Sequence, residues 1–380
     1  MIYISESVSF HIYDSDRQKD IFLRDSFRFS TLLMVVSGAE ILHEDKSNNN
    51  VCVDDIHCNL GIKLGPLSPV SIDWGDFKSQ PIDVIQEDRY NPGSFFINAR
   101  TTIKKWTPGS PVTLLLGNET QEDVNKGYRD GPSNIAEFTI ISDFVQFNRR
   151  KLAIGELVNA CIRLYDFETD YVSTIVGVCD AHGRGIYPAA DTWAEYDINT
   201  EKDSLSPQFS GVLSILILEK WNKLLIVDYG YKIIIQHDFI RQKTKILNMG
   251  LYLQCPKPLH IISNANETEI FINHAYGLSK YDLRTKTITL LVGDVDGTLR
   301  GNLHLKLIPG PFHTAQTGSM DSLRWLVQDQ VLVSMGRKDN EALVIIDLMQ
   351  KQIYSVCSGQ SSDHESYLYF HNFELFCLKQ

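Results

Sequence analysis

The sequence has no apolar run approaching the roughly 20 residues that a membrane-crossing helix needs. Its longest, Gly211-Val-Leu-Ser-Ile-Leu-Ile-Leu218, is strand-sized. The opening residues, Met1 to Ser7, carry no basic stretch ahead of an apolar one, so no leader peptide is read there. Positive charge is scarce: 36 Lys and Arg stand against 47 Asp and Glu, a net −11. That removes the broad basic footprint from which nucleic-acid binders draw their affinity. The best basic clusters, Lys104–Lys105, Arg149–Arg150–Lys151 and Arg241 with Lys245, read as solvated strand edges and turns. The motifs of common enzymes are missing too. There is no Gly-x-Ser-x-Gly elbow, Walker loop, dinucleotide fingerprint or His-Glu-x-x-His, and Gly183-Arg-Gly185 reads as a turn. Cysteine is sparse and odd in number, seven without regular spacing, which points to reduced thiols in a cytoplasmic protein. Cys52, His57 and Cys58 fit no closed zinc module, and Cys161 reads as a small buried hydrophobe. Asn118-Glu-Thr120 and Asn266-Glu-Thr268 become glycosylation acceptors only in an extracellular setting, as a piece of a larger protein.

What the sequence does hold is many short apolar segments rich in aromatic and β-branched residues, punctuated by 24 Gly and 13 Pro. With 380 residues the chain exceeds the usual span of one hydrophobic core, roughly 250 to 300 residues, so it divides into domains or grows by repetition. One unit recurs: an apolar strand, a turn, a strand ending in Asp, then a strand closing at Gly. It is plainest at 151–166 continued by 171–177, and returns at 224–238 with 244–247 and at 271–282 with 288–293. Degenerate copies lie at 95–106 with 112–117 and at 331–347 with 353–357. Units this small cannot bury their own apolar faces, whereas radial stacking buries both, as in a β-propeller. Each strand-end Asp suits a hydrogen bond to the backbone of the turn after it.

Gly127-Tyr-Arg-Asp-Gly-Pro-Ser-Asn-Ile-Ala-Glu-Phe138, followed by Asn159-Ala-Cys-Ile-Arg-Leu-Tyr-Asp166 and Val172-Ser-Thr-Ile-Val-Gly177, resembles the NHL-repeat family. Those repeats join blades through Gly-x-x-Asp-Gly leading to Ala-x-Phe, with Asn-x-x-Ile-Arg further on. The resemblance is specific over 117–177 and partial elsewhere. It implies an all-β, NHL-type propeller of six, possibly seven, blades filling residues 1–380 as a single domain. Further blades are expected at about 1–30, 70–117, 205–250, 257–293 and 318–358, with a closing strand at 366–380 that shares a blade with the N-terminal strand. It also implies binding of a partner, usually protein, rather than catalysis.

Two long inter-blade loops are the places to look for function, because rim loops on a rigid scaffold carry binding residues. Loop 178–207 offers His182, Tyr187, Asp191, Trp193 and Glu195, and loop 294–320 offers His313. Aromatic and His side chains there suit contact with a protein partner. The expectation is therefore a monomeric, non-enzymatic interaction propeller without a cofactor. The alternative is a metal-dependent hydrolase or lyase of the lactonase or amidating-lyase type, holding Ca or Zn in the central channel. Its metal ligands would be Asp228 and Asn273, read as occupying comparable positions in their blades, as Gly155 does in its own, with Glu156 and His274 beside them.

Overall fold

In the computed structural model, side chains are described for much of 84–356, with breaks at 119–126, 180–200 and 294–306 and at shorter loops, and strand backbones are described nearer both termini. Five antiparallel sheets succeed one another along the chain, each built on four strands in sequence order. In the second, third and fifth a two-residue strand from the incoming linker, Gly131–Pro132, Lys202–Asp203 and Gly310–Pro311, pairs with the outer strand as a fifth. The first comprises Val84–Glu87, Phe95–Ala99, Thr102–Trp106 and Thr113–Leu116. The second comprises Ile141–Phe147, Lys151–Glu156, Cys161–Asp166 and Tyr171–Val176. The third comprises Val212–Leu218, Lys223–Asp228, Ile233–Asp238 and Lys243–Ile246. The fourth comprises Pro258–Ser263, Glu269–His274, Gly277–Asp282 and Thr287–Gly293. The fifth comprises Met320–Val327, Val331–Gly336, Leu343–Asp347 and Gln352–Val356.

Apolar cores lie between successive sheets rather than within any one. Leu152 and Ile154 of the second sheet pack with Phe96, Ile103 and Leu116 of the first. Ala153, one residue out of phase and so on the opposite face, packs with Val212, Ile215 and Ile226 of the third. The same sharing joins third to fourth through Leu225, Val227, Ile261 and Ile272, and fourth to fifth through Phe271, Leu278, Leu323 and Val344. Second strands are thus buried on both faces, which explains their near-continuous apolar runs. The first strands pack beside one another at the centre, so these sheets are blades of a β-propeller around an axis.

Two expectations are corrected. The described residues form five blades of four or five strands, not six or seven. Among the described residues the ends do not share a blade: Ile2–Ile4 pairs with Leu33–Val36, and Ser366–His371 with Glu374–Lys379, in separate sheets. Ser366–His371 does approach Leu67–Val70, the far strand of the N-terminal sheet, but does not ladder to it. Most of the copy expected over 1–30 lies outside the described residues.

The strand-end Asp behaves as its chemistry suggests. Asp166, Asp238, Asp282 and Asp347 each accept, through Oδ1, the backbone N–H groups two and three residues on. The residue four on takes a left-handed φ of 52° to 57° in all four, at Asp170, Gln242, Lys286 and Lys351. The Gly that closes a unit is left-handed as well at Gly117, Gly177 and Gly293, where a side chain is strained.

Candidate functional site

Each blade's second strand ends at the rim where the chain arrives from the preceding blade. Backbone register aligns Glu156, Asp228 and His274 at that end, with Gly155, Val227 and Asn273 one residue earlier. The expected equivalence of Asp228 with Asn273 and Gly155 is therefore off by one. Because strand side chains alternate, Asp228 and Asn273 leave opposite faces of their blades and do not converge.

Asp228 is fully buried and held by Ser210, whose backbone N–H donates to Oδ2 at 2.8 Å and whose hydroxyl donates to Oδ1. Gly230 N–H in turn donates to Ser210 Oγ at 2.6 Å. The second blade repeats the device: Thr139 N–H and Oγ1 donate to Glu156 Oε2 at 2.9 and 3.2 Å, and Asn159 N–H donates to Thr139 Oγ1. A hydroxyl residue two positions before the inner strand thus staples the incoming chain to a carboxylate. Asn273 serves the next linkage, donating Nδ2–H to Met320 O at 3.0 Å, as Asn98 does to Ile141 O at 2.7 Å. His274 faces Ser279, with Nε2 and Oγ 3.1 Å apart.

The second blade adds a cation. Arg163, wholly buried, pairs with Glu156 Oε1 at 2.9 Å and with Asp130 Oδ1 at 2.6 Å. It also donates to the carbonyls of Arg129 and Glu137 and lies about 5 Å from the ring centres of Tyr128 and Phe138. Asn159 Nδ2 reaches Gly127 O at 2.7 Å. The residues that carry the sequence resemblance therefore act together as a clamp on the 127–138 linker. Burial pushes the Glu156 carboxyl up from its ordinary range, and the Arg163 charge opposes this.

Beside Glu156, Cys161 and Cys179 form a disulfide with Cα atoms 5.2 Å apart. This corrects the reading of Cys161 as an unpaired hydrophobe and of the thiols as uniformly reduced. Among the described residues, Glu156, Cys161 and Cys179 are the grouping closest to a metal-ligand set. Its sulfurs are bonded to each other and its carboxylate is held by Arg163 and Asn159, so it does not fit a calcium or zinc ion.

At the axis a second polar group assembles from inner strands. Asp143, Ser214 and His260 hold one register level in the second, third and fourth blades, each just after a bulge. Asp143 Oδ2 accepts from Ser214 Oγ and Ile215 N–H at 3.0 and 2.9 Å, and Oδ1 from Phe144 N–H at 2.9 Å. Arg324 of the fifth blade donates Nη1–H to His260 Nε2 at 2.9 Å and to Leu323 O at 2.9 Å. Burial and the Arg324 charge hold His260 well below the ordinary imidazole range, so the ring is neutral at pH 7. Burial raises the Asp143 carboxyl, with Arg324 and the three donors pulling it back. The sequence signal for this group is charge placed inside otherwise apolar inner strands, at Asp143 and Arg324.

Of the loop residues singled out, His182, Tyr187, Asp191, Trp193 and Glu195 lie outside the described residues. His313 is exposed in the turn after Gly310–Pro311, a short strand that pairs with the fifth blade's outer strand. The 178–207 connection is flanked by exposed Val178 and Leu205, and Ile308 is exposed within 294–320. No helix among the described residues is long and apolar enough to cross a membrane.

No family model matches the chain, and neither does any curated protein. Among solved structures it is similar to the extracellular domain of a protein assigned to the one-component systems of B. thetaiotaomicron, at 13% identity and a TM-score of 0.44. That match covers 75% of this chain and 28% of the other. It is also similar to a chain of the nidogen–laminin complex, at 9% identity and a TM-score of 0.44, covering 77% of this chain and 90% of that one. The assignment as a β-propeller rests on the chain's own blades.

Proposed function

We propose that the chain is an NHL-like propeller that works as a non-enzymatic binding platform, engaging a protein partner through the rim that carries loops 178–207 and 294–320. The observation behind this is the apolar exposure at those loops: Val178 and Leu205 are 49% and 57% exposed, and Ile308 is 40% exposed. Scattered exposed apolar residues are ordinary, but these three belong to the two long connections on the rim where second strands end. Nucleophile and metal chemistry gain nothing from the same rim, since Asp228 and Glu156 are taken up by staples within the fold. The Cys161–Cys179 disulfide fits an oxidising compartment better than the cytoplasm.

The test replaces 181–199 with a Gly-Ser linker and, separately, changes Val178 and Leu205 to Ser. Proteins retained by the immobilised wild-type chain from extracellular and intracellular fractions are compared with those retained by each variant. Loss of the same retained partner in both variants, with melting unchanged, supports the rim. Retention of that partner by both, or hydrolase activity that survives in neither, overturns it.

A further inference from the structure

Among the described residues, the axial group carries more hydrogen-bond donors than acceptors. An arginine guanidinium only donates, so His260 Nε2 must accept from Arg324 and the imidazole proton sits on Nδ1. Leu323 N–H, 3.4 Å from Nδ1, then faces another donor. Within Arg324 itself, both contacts come from Nη1, and among the described residues nothing accepts from Nε or Nη2. Asp143 feels the Arg324 charge but makes no ion pair with it within contact distance, its oxygens being turned to Phe144, Ser214 and Ile215. Arg324 is partly accessible rather than sealed. A fixed cation whose side-on fork meets no acceptor among the described residues, held against a neutral ring at the meeting of four inner strands, is a receptor for an anion.

We propose that Arg324, with His260 as its positioning residue, forms a binding site on the propeller axis for one small oxyanion, a carboxylate or a phosphate. Nε–H and Nη2–H present two parallel donors, the spacing that two oxygens of either group match. His260 fixes the guanidinium by occupying Nη1, so the free edge points to one place. Third-blade Leu216 and second-blade Val145 hold the register level of Arg324 in their inner strands, so no repeat of this cation surrounds the axis at those two blades. The site stands independently of the rim reading, since it uses no loop residue.

The experiment titrates inorganic phosphate and, in a separate arm, acetate into the wild-type chain at constant ionic strength set with chloride. Heat of binding and the melting temperature are followed together. One equivalent of either oxyanion is expected to bind and raise the melting temperature. Arg324→Gln should weaken that binding by about tenfold or more, as loss of charge-assisted bonds does, while Arg149→Gln on the exposed surface leaves it unchanged. His260→Gln should weaken it less. If Arg324→Gln does not fold, the arginine Nε–H resonances of the wild-type protein give the answer, because one of them must shift on titration. Failure of both oxyanions to bind, equal binding by folded Arg324→Gln, or no shifted Nε–H resonance each overturns the site.

Discussion

The second and third blades solve one problem with different means. Both end their second strand in a buried carboxylate, and both give it a hydroxyl residue from the incoming linker. In the second blade the facing third-strand position is Arg163; in the third blade the register puts Ile235 there. The fourth blade has His274 and Ser279 at the same two places, and the first has Ala99 and Lys104. The staple between linker and strand end is thus shared by the second and third blades, while the residues at the two places vary around the ring. What the second blade gains from its cation is a long ordered linker: Arg163 holds Arg129, Asp130 and Glu137 at once.

The strongest way to break the comparison is to make the second blade resemble the third at that position. Arg163→Met leaves Glu156 buried without its cation, and a broken buried pair costs about 3 to 5 kcal/mol. The double change Arg163→Met with Glu156→Gln should recover most of this, because a neutral amide can keep its bonds to Thr139 and Asn159. Urea midpoints of the single and double variants check both values. If the single change costs no more than an ordinary surface substitution, the linker is held by something other than this clamp.

The repeating units, their Asp turns and the closing Gly were legible in the sequence because they are local: each follows from a few adjacent residues and one hydrogen-bond pattern. Sequence spacing misaligns Asp228 and Asn273 because the loop before the third strand differs in length between blades, four residues between Asp228 and Ile233 and two between His274 and Gly277. Counting along the chain cannot see that shift, whereas cross-strand register fixes it. The axial group was hidden for a related reason. Asp143, His260 and Arg324 stand in three different blades, and only the closure of the propeller brings them to one axis. The family expectation of six or seven blades exceeds the five described because it leans on N-terminal segments whose own pattern is weak.

His274 sharpens the comparison from the acid side. Burial lowers its imidazole from 6.5 to about 4, and does the same for His237 in the third blade. A His with a depressed folded pKa is protonated first in the unfolded chain, so its stabilising contribution is whole above pH 6.5 and is lost as pH falls toward 4. Between about pH 7.5 and about pH 5 each of these His residues should cost about 2 kcal/mol. His274→Gln removes that share from the fourth blade, leaving a stability-against-pH curve shallower by that amount, measured by urea unfolding at the two pH values. Glu156, its carboxyl pushed up by burial, takes its proton first in the folded chain and so opposes the His slope toward acid, and Glu156→Gln should therefore not flatten the curve over this window. A wild-type slope that His274→Gln leaves untouched would mean the ring reaches water before the fold opens.

The finest test compares the two hydroxyl staples themselves. In the third blade Ser210 Oγ both donates to Asp228 and accepts from Gly230 N–H, so Ser210→Ala strips a buried carboxylate of a donor and a backbone N–H of its acceptor. In the second blade Thr139 Oγ1 fills the same two roles, through longer bonds of 3.2 Å. Glu156 also keeps Arg163 and Asn159 when that hydroxyl is gone. Removing a partner from buried polar groups costs about 1 to 3 kcal/mol, and Ser210→Ala should fall in the upper part of that range. Thr139→Ser, which keeps the hydroxyl, should be close to neutral, and Thr139→Ala should cost about 1 kcal/mol less than Ser210→Ala. Equal costs would show that the cation shares none of the carboxylate's load, and that the clamp and the staple act on the linker separately.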